Sequence, residues 1–390
     1  MFFVDKPYIS DFFKRTVRDN AIPVVGTKIS KEMGLFPGTE IISEAEAIQL
    51  ARDTENLSLY TTSENSLSWI SKHLTFTEFP ERIEAFKNKT KFRQLTSSLV
   101  PDLFFQEVKV EDLLDIRFSE LPSPLIIKPA TGFMSAGVHN VRNVEEWDKT
   151  IRVIKKEASQ NKEPYPKEVV DPSTYIIEGC IKGDEFAVDA YYNSDGEAVI
   201  LNILQHTFSS TDDVSERVYT SSKNIIKNNL GEFSEFVSKI GKSVNARNFP
   251  VHVELRRNSA GGLYPIEVNP LRFGCWCTTP DLTYLAYGFN PYLYYASQLK
   301  PDWSEILKGK DEKLYSIIIL DNSTGIPSER ISSFNYEKLL ADFEKPLEFR
   351  KFDYQEYPVF GFLFTETTEK NRSELQYILN SDLIEYININ

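Results

Sequence analysis

Cysteine is scarce. The 390 residues include three, Cys180, Cys275 and Cys277, too few for a disulfide framework in a chain of this length. Cys275-Trp276-Cys277 has C-x-C spacing, but no further cysteine or clustered histidine completes a zinc set. The three therefore read as reduced thiols. Also missing is any run of about 18 apolar residues, the length an ordinary membrane-spanning helix requires. The opening "MFFVDKPYISDFFKRTVRDN" has charges at Asp5, Lys6 and Asp11 where a signal peptide needs an uninterrupted apolar stretch, so a cytoplasmic protein is expected. Positive charge is not in excess either. A net charge of −13 argues against nucleic acid or an anionic membrane as the main partner, although a nucleotide needs only local cations. No internal repeat or low-complexity tract occurs.

What is present is globular: 41% hydrophobic and 26% charged residues, with 27 Phe and 19 Tyr. Such a length accommodates two to four subdomains. Residues 1–90 read as α/β. "AIPVVGT" is a short strand ending at Gly26, Ser43 with Glu46 opens a helix with a capping box, "LSLYTT" is a strand, and "SENSLSWISKHL" a helix. That alternation predicts a parallel sheet. Next, "KFRQLTSSL" is a helix stopped by Pro101, "PLIIKPA" a strand ended by Pro129, and "VEEWDKTIRVIKKEA" a helix with Val144, Trp147, Ile151 and Ile154 inward. "KEPYPKEVVDPST" is a connector. "TYIIEGCIKGDEFAVDAYYNSDGEAVILNIL" gives strand, turn, strand, an Asp195-Gly196 hairpin and strand. "EFSEFVSKIGKSVNA" is a helix, and beyond Pro301 a β-α-β-β-α pattern follows.

The most informative stretch is "HVELRRNSAGGLYPIEVNP", residues 252–270. Asn258 to Gly262 supply a turn. Centring it between Ala260 and Gly261 pairs Val253 with Val268, Leu255 with Ile266, His252 with Asn269 and Glu254 with Glu267. Carboxylates facing each other at about 5 Å repel by roughly 3 kcal/mol at an effective dielectric near 20. A divalent cation between them would reverse the sign, and two carboxylates with an amide oxygen suit magnesium. A solvent-screened polar face is the other reading.

Two further segments fit a nucleotide. Lys128 ends a strand, and the loop "TGFMSAGV" follows; a lysine beside free amides can hold phosphates, or it is a strand-end lysine before an ordinary loop. In "YIIEGCIKGDEFAVDAYY", Glu185 and Asp189 share a strand face, as acceptors for ribose hydroxyls or as a solvated surface. Together with "FKNKTKFRQL" and "HVELRR…LYPIEVNPLRFGCWCTTPDL", these segments, in this order from about residue 60 to 295, resemble the ATP-grasp superfamily.

That resemblance implies an α/β (α+β) ATP-grasp fold: a pre-ATP-grasp domain at 1–90, a lid subdomain with the phosphate loop at 91–180, a subdomain with the metal site at 181–300, and a small α+β subdomain at 301–390. It implies ATP and Mg2+ (or Mn2+). Lys89, with Lys91 as its neighbour alternative, matches the first phosphate lysine and Lys128 the second. Residues 131–137, including Ser135, Ala136 and Gly137, match the mobile phosphate loop. Glu178, Gly179, Cys180 and Ile181 match the adenine hinge, Glu185 the ribose acid, and Glu254, Glu267 and Asn269 the metal ligands. Many members place an arginine two residues after the asparagine; here Leu271 intervenes. Arg272 then steadies the transferring group, serves the carboxylate substrate, or makes a surface ion pair. The family reaction joins a carboxylate to an amine or another nucleophile through an acyl phosphate. A phosphotransferase and a non-catalytic nucleotide binder are the alternatives, and a homodimer is compatible with the resemblance. On the substrate side, "HTFSSTDDVSERVYTSS" reads as a long polar loop whose His206, Arg217 and Tyr219 could hold an acid or an amine.

Overall fold

A computed structural model describes residues 1–132, 137–159, 171–210 and 215–389. The chain forms two compact units. One comprises Met1–Gly183, Ala190–Val199 and Glu235–Cys277; the other comprises Asp184–Asp189, Ile200–Ser234 and Thr278–Asn390. Each is thus assembled from segments remote in sequence.

The first unit opens with the expected parallel sheet, ordered Ile41–Ile42, Val24–Val25, Phe2–Phe3 and Tyr60–Thr61. Its strands are only two residues long, and helices do much of the packing. Helix Glu44–Asp53 begins as the sequence predicts: the Ser43 hydroxyl accepts from the Glu46 N–H, and the Glu46 carboxylate accepts from the Ser43 N–H.

A second sheet in this unit runs Phe105–Lys109, Asp171–Gly179, Leu125–Thr131, His139–Val141, all antiparallel. Helix Val144–Ser159 covers one face. Trp147, Ile151 and Ile154 point inward and are buried, each stabilising the fold by about 1.5–3 kcal/mol. Val144, expected inward, is 49% exposed; it sits in the first turn, before the helix reaches the sheet. The strand at Leu125 does not stop at Pro129 as expected. It continues to Thr131 through a register shift between Pro129 and Thr131, because a bulge absorbs the N–H that proline lacks.

The hairpin Phe249–Arg257 with Leu263–Pro270 completes the unit. Its outer register is the predicted one: His252 opposite Asn269, Val253 opposite Val268, Glu254 opposite Glu267. Leu255, however, pairs with Pro265 rather than Ile266, because a bulge intervenes between Glu254 and Leu255. The polar face is no solvent face, since His252 and Asn269 are buried.

In the second unit Ala198–Thr207 pairs with Val218–Ser222, followed by Lys313–Asp321, Val359–Thr368 and Pro346–Lys351, each antiparallel to the last. The C-terminal strands therefore extend the sheet begun near residue 200. A small pair, Ile331–Phe334 with Ile387–Ile389, was not legible in the sequence. Of the stretch 206–222, read as a loop, residues 206–207 and 218–222 lie in paired strands, with His206 opposite Tyr219; residues 211–214 lie outside the described residues. Asp189, read as surface, is fully buried and accepts a hydrogen bond from the Thr279 hydroxyl. No helix among the described residues is long and apolar enough to cross a membrane.

Candidate functional site

Two helices meet end to end at Asn88. Phe79–Lys87 finishes there, and Lys89–Thr96 starts with the Asn88 side chain accepting from the Lys91 N–H at 2.9 Å. The junction places Lys87 and Lys89 side by side, both buried. Lys89 Nζ lies 3.4 Å from Glu267 and donates to the Gly132 carbonyl at 3.1 Å, at the start of the segment expected to hold phosphates. Lys91 points elsewhere and pairs with Glu84 at 3.2 Å. Burial lowers the Lys89 pKa, with the Glu267 charge opposing. Burial likewise works against ionisation of Glu267, but Lys89 and Lys87 outweigh it and hold the carboxyl below its ordinary range.

Glu254 and Glu267 face each other across the hairpin, as the sequence predicts. Asn269 donates from Nδ2 to Glu254 Oε1 at 3.4 Å, a long contact that orients the amide beside the carboxylate. No cluster of three or more His, Cys, Asp or Glu suited to a metal occurs among the described residues. The candidate set is two carboxylates and one amide, hard oxygen donors that fit a magnesium ion completed by water and phosphate.

Lys128 ends inward, 2.7 Å from Glu178. Glu178 also accepts from Arg93 Nε at 2.5 Å. Burial opposes the Glu178 charge, yet Lys128 and Arg93 hold its pKa down at about 2. The segment beyond it, expected to meet adenine, is pinned through its backbone. Gly179 N–H donates to Phe104 O, Cys180 N–H to Pro124 O, and Arg256 donates to Ile181 O at 2.7 Å. Gly183 ends this segment at φ +140°, with the Arg257 carbonyl where a Cβ would stand. Ser135 and Ala136 lie outside the described residues, whereas Gly137 has φ +71° and packs on Pro129.

Arg272 is not a surface pair. Leu271 takes a left-handed turn at φ +59°, and its carbonyl accepts from Thr61 N–H at 2.7 Å. The turn returns Arg272 toward Glu64, which it meets through Nε at 3.1 Å and Nη2 at 2.8 Å. Lys87 takes the other Glu64 oxygen. Burial opposes the Glu64 charge, but Lys87 and Arg272 bring its pKa to about 2.

Glu185, His206, Arg217 and Tyr219 belong to the second unit. His206 Nδ1 lies 2.9 Å from Glu185 and Nε2 lies 3.0 Å from Ser215 O, and the ring stacks on Tyr219. Arg217 does not join them. It binds Asp321, Ser323 Oγ and the carbonyls of Ile378 and Ser381, a clamp on the C-terminal segment rather than a substrate contact.

Sequence reasoning missed Arg93, Lys87 and Glu64. Arg93 stands four residues after Lys89, the spacing of a shared helix face, which could have found it. Nothing local marks Glu64, whose partner Arg272 is 208 positions away.

A family model described as an ATP-grasp domain matches residues 121–280. No curated protein matches the sequence. Among solved structures, an L-amino acid ligase from Bacillus licheniformis is similar at TM-score 0.70 and 19% identity, covering 100% of this chain and 98% of that one. N5-carboxyaminoimidazole ribonucleotide synthetase from Thermotoga maritima is similar at TM-score 0.64 and 13% identity, covering 100% and 98%. A biotin carboxylase from Campylobacter jejuni, solved as a beta-gamma-ATP complex, is similar at 0.62 and 12%, covering 100% and 92%. At such identities the likeness is one of fold. Residues 121–280 are thus similar to an ATP-grasp domain, and the whole chain has the ATP-grasp fold.

Proposed function

We propose that the chain is an ATP-dependent ligase that joins a carboxylate to an amine, or to another nucleophile, with release of ADP and phosphate. One observation carries the reading. Lys89, a buried cation, lies between the phosphate-loop segment and one of two facing glutamates. That arrangement is suited to a polyanion with a counter-ion, and it is costly without one. The similar L-amino acid ligase supports an amino acid as the acid component.

In this reading the backbone of residues 178–181 takes adenine. Lys89 and Lys128 hold the phosphates. Glu254, Glu267 and Asn269 would hold Mg2+, which when bound neutralises phosphate charge. A substrate carboxylate oxygen attacks the γ-phosphorus, and the bond to the β–γ bridging oxygen breaks, releasing ADP. The amine nitrogen then attacks the acyl carbon, the C–O bond to phosphate breaks, and the nitrogen loses its proton. Arg272, held by Glu64, faces the charge that develops on the transferring group.

The test is ADP release in pools of amino acids and small acids, with and without amines, and with hydroxylamine to trap an acyl phosphate. Release that requires a carboxylate, together with a hydroxamate product, is expected. Release driven by a hydroxyl acceptor, with no hydroxamate, would replace the ligase by a phosphotransferase.

A further inference from the structure

Arg93 has no part in the chemistry just described, yet it is 1% exposed and its three guanidinium nitrogens are all engaged. Nε donates to Glu178 at 2.5 Å, Nη1 to Pro265 O at 2.5 Å and Nη2 to Ile266 O at 3.2 Å. Those successive carbonyls border the hairpin bulge, which follows the metal-ligand pair Glu254 and Glu267. One side chain therefore ties the lysine helix to the hinge acid and to the hairpin.

The electrostatics point further. Glu178 gives one oxygen to Arg93 and the other to Lys128. An ammonium paired one-to-one with a carboxylate presents a neutral pair to a third group. A carboxylate shared between two cations leaves a net positive charge. We propose that Arg93 is a positioning residue of the nucleotide site: by offsetting Glu178 it keeps Lys128 attractive to phosphate, and by holding the bulge it fixes the hairpin's register beside it. This rests on the reading of Lys128 as a phosphate lysine.

Calorimetric binding of a non-hydrolysable ATP analogue with Mg2+, and of adenosine, separates the possibilities. R93M is expected to lose about tenfold or more in analogue affinity while adenosine changes less than about twofold. In R93M/E178Q most of the loss is expected to return, because Lys128 is no longer committed to an acid. A merely structural arginine would not behave so, since glutamine at 178 restores neither bond to the bulge. Equal losses for both ligands in R93M, or no recovery in the double variant, overturn the inference. K128M is the control. If it binds the analogue as tightly as the natural protein, the phosphate reading itself fails; if it binds weakly while R93M is normal, only the role of Arg93 falls. Should R93M not fold, E178Q alone decides. It is expected to raise analogue affinity relative to adenosine, and an unchanged or lower ratio overturns the inference.

Discussion

At the residue scale the site is a set of shared charges. Glu267 answers to Lys89 and Lys87, Glu64 to Lys87 and Arg272, Glu178 to Lys128 and Arg93. Removing one member strands another in a dry environment, where an uncompensated buried charge costs about 3–5 kcal/mol. Glu267→Ala is expected to abolish Mg2+-dependent ADP release while circular dichroism still reports the native fold; release at the natural rate would remove Glu267 from the metal site. Glu64→Gln tests Arg272. Loosening its anchor is expected to lower kcat by about tenfold or more with KM for ATP nearly unchanged, because the interaction matters in the transition state. A rise in KM alone would make Arg272 a ground-state contact. These acids differ in legibility. The facing of Glu254 and Glu267 followed from a turn and alternation of period two. The contact of Glu64 with Arg272 depends on a left-handed Leu271 and on a short 3-10 turn at Glu64, 208 positions earlier in the chain.

At the element scale, short segments are held by specific local devices. The Ser43–Glu46 capping box is one, and Ser43→Ala is expected to destabilise its helix by about 1 kcal/mol, read as a lower urea midpoint. Gly183 is another. An alanine Cβ there would lie 1.9 Å from the Arg257 carbonyl, so Gly183→Ala is expected to cost about 2–3 kcal/mol. It should also displace the hinge, which a parallel fall in adenosine affinity would report. The hairpin shows where pattern reading stops. Alternation gave the pairs up to Glu254, and the bulge then shifted Leu255 onto Pro265. A proline in a strand is a warning of such a shift, but not of its position, which here coincides with the carbonyls that Arg93 holds.

At the scale of the whole molecule, the acids couple stability to pH. Glu64 and Glu178 have folded pKa values of about 2 against an ordinary 4.5. Because the folded values are depressed, their contribution is complete above pH 4.5 and is lost as pH falls from 4.5 toward 2. Urea unfolding across that window is expected to show a steep loss of stability, and Glu178→Gln to flatten part of it. An unchanged slope in that variant would mean that Glu178 is not ionised through its two cations.

By itself the sequence determined the parallel opening sheet, the capping box and the face on which Glu254, Glu267 and Asn269 stand. These depend on near neighbours and on periods of two and 3.6 residues, which a linear reading contains. Only the tertiary structure decided that Lys89 rather than Lys91 turns toward Glu267, that Arg217 clamps the C-terminal segment, and that Arg93 and Glu64 complete the charge pairs. The physical reason is burial. A charge removed from water must find a partner wherever the chain brings one, and that partner can be hundreds of residues away.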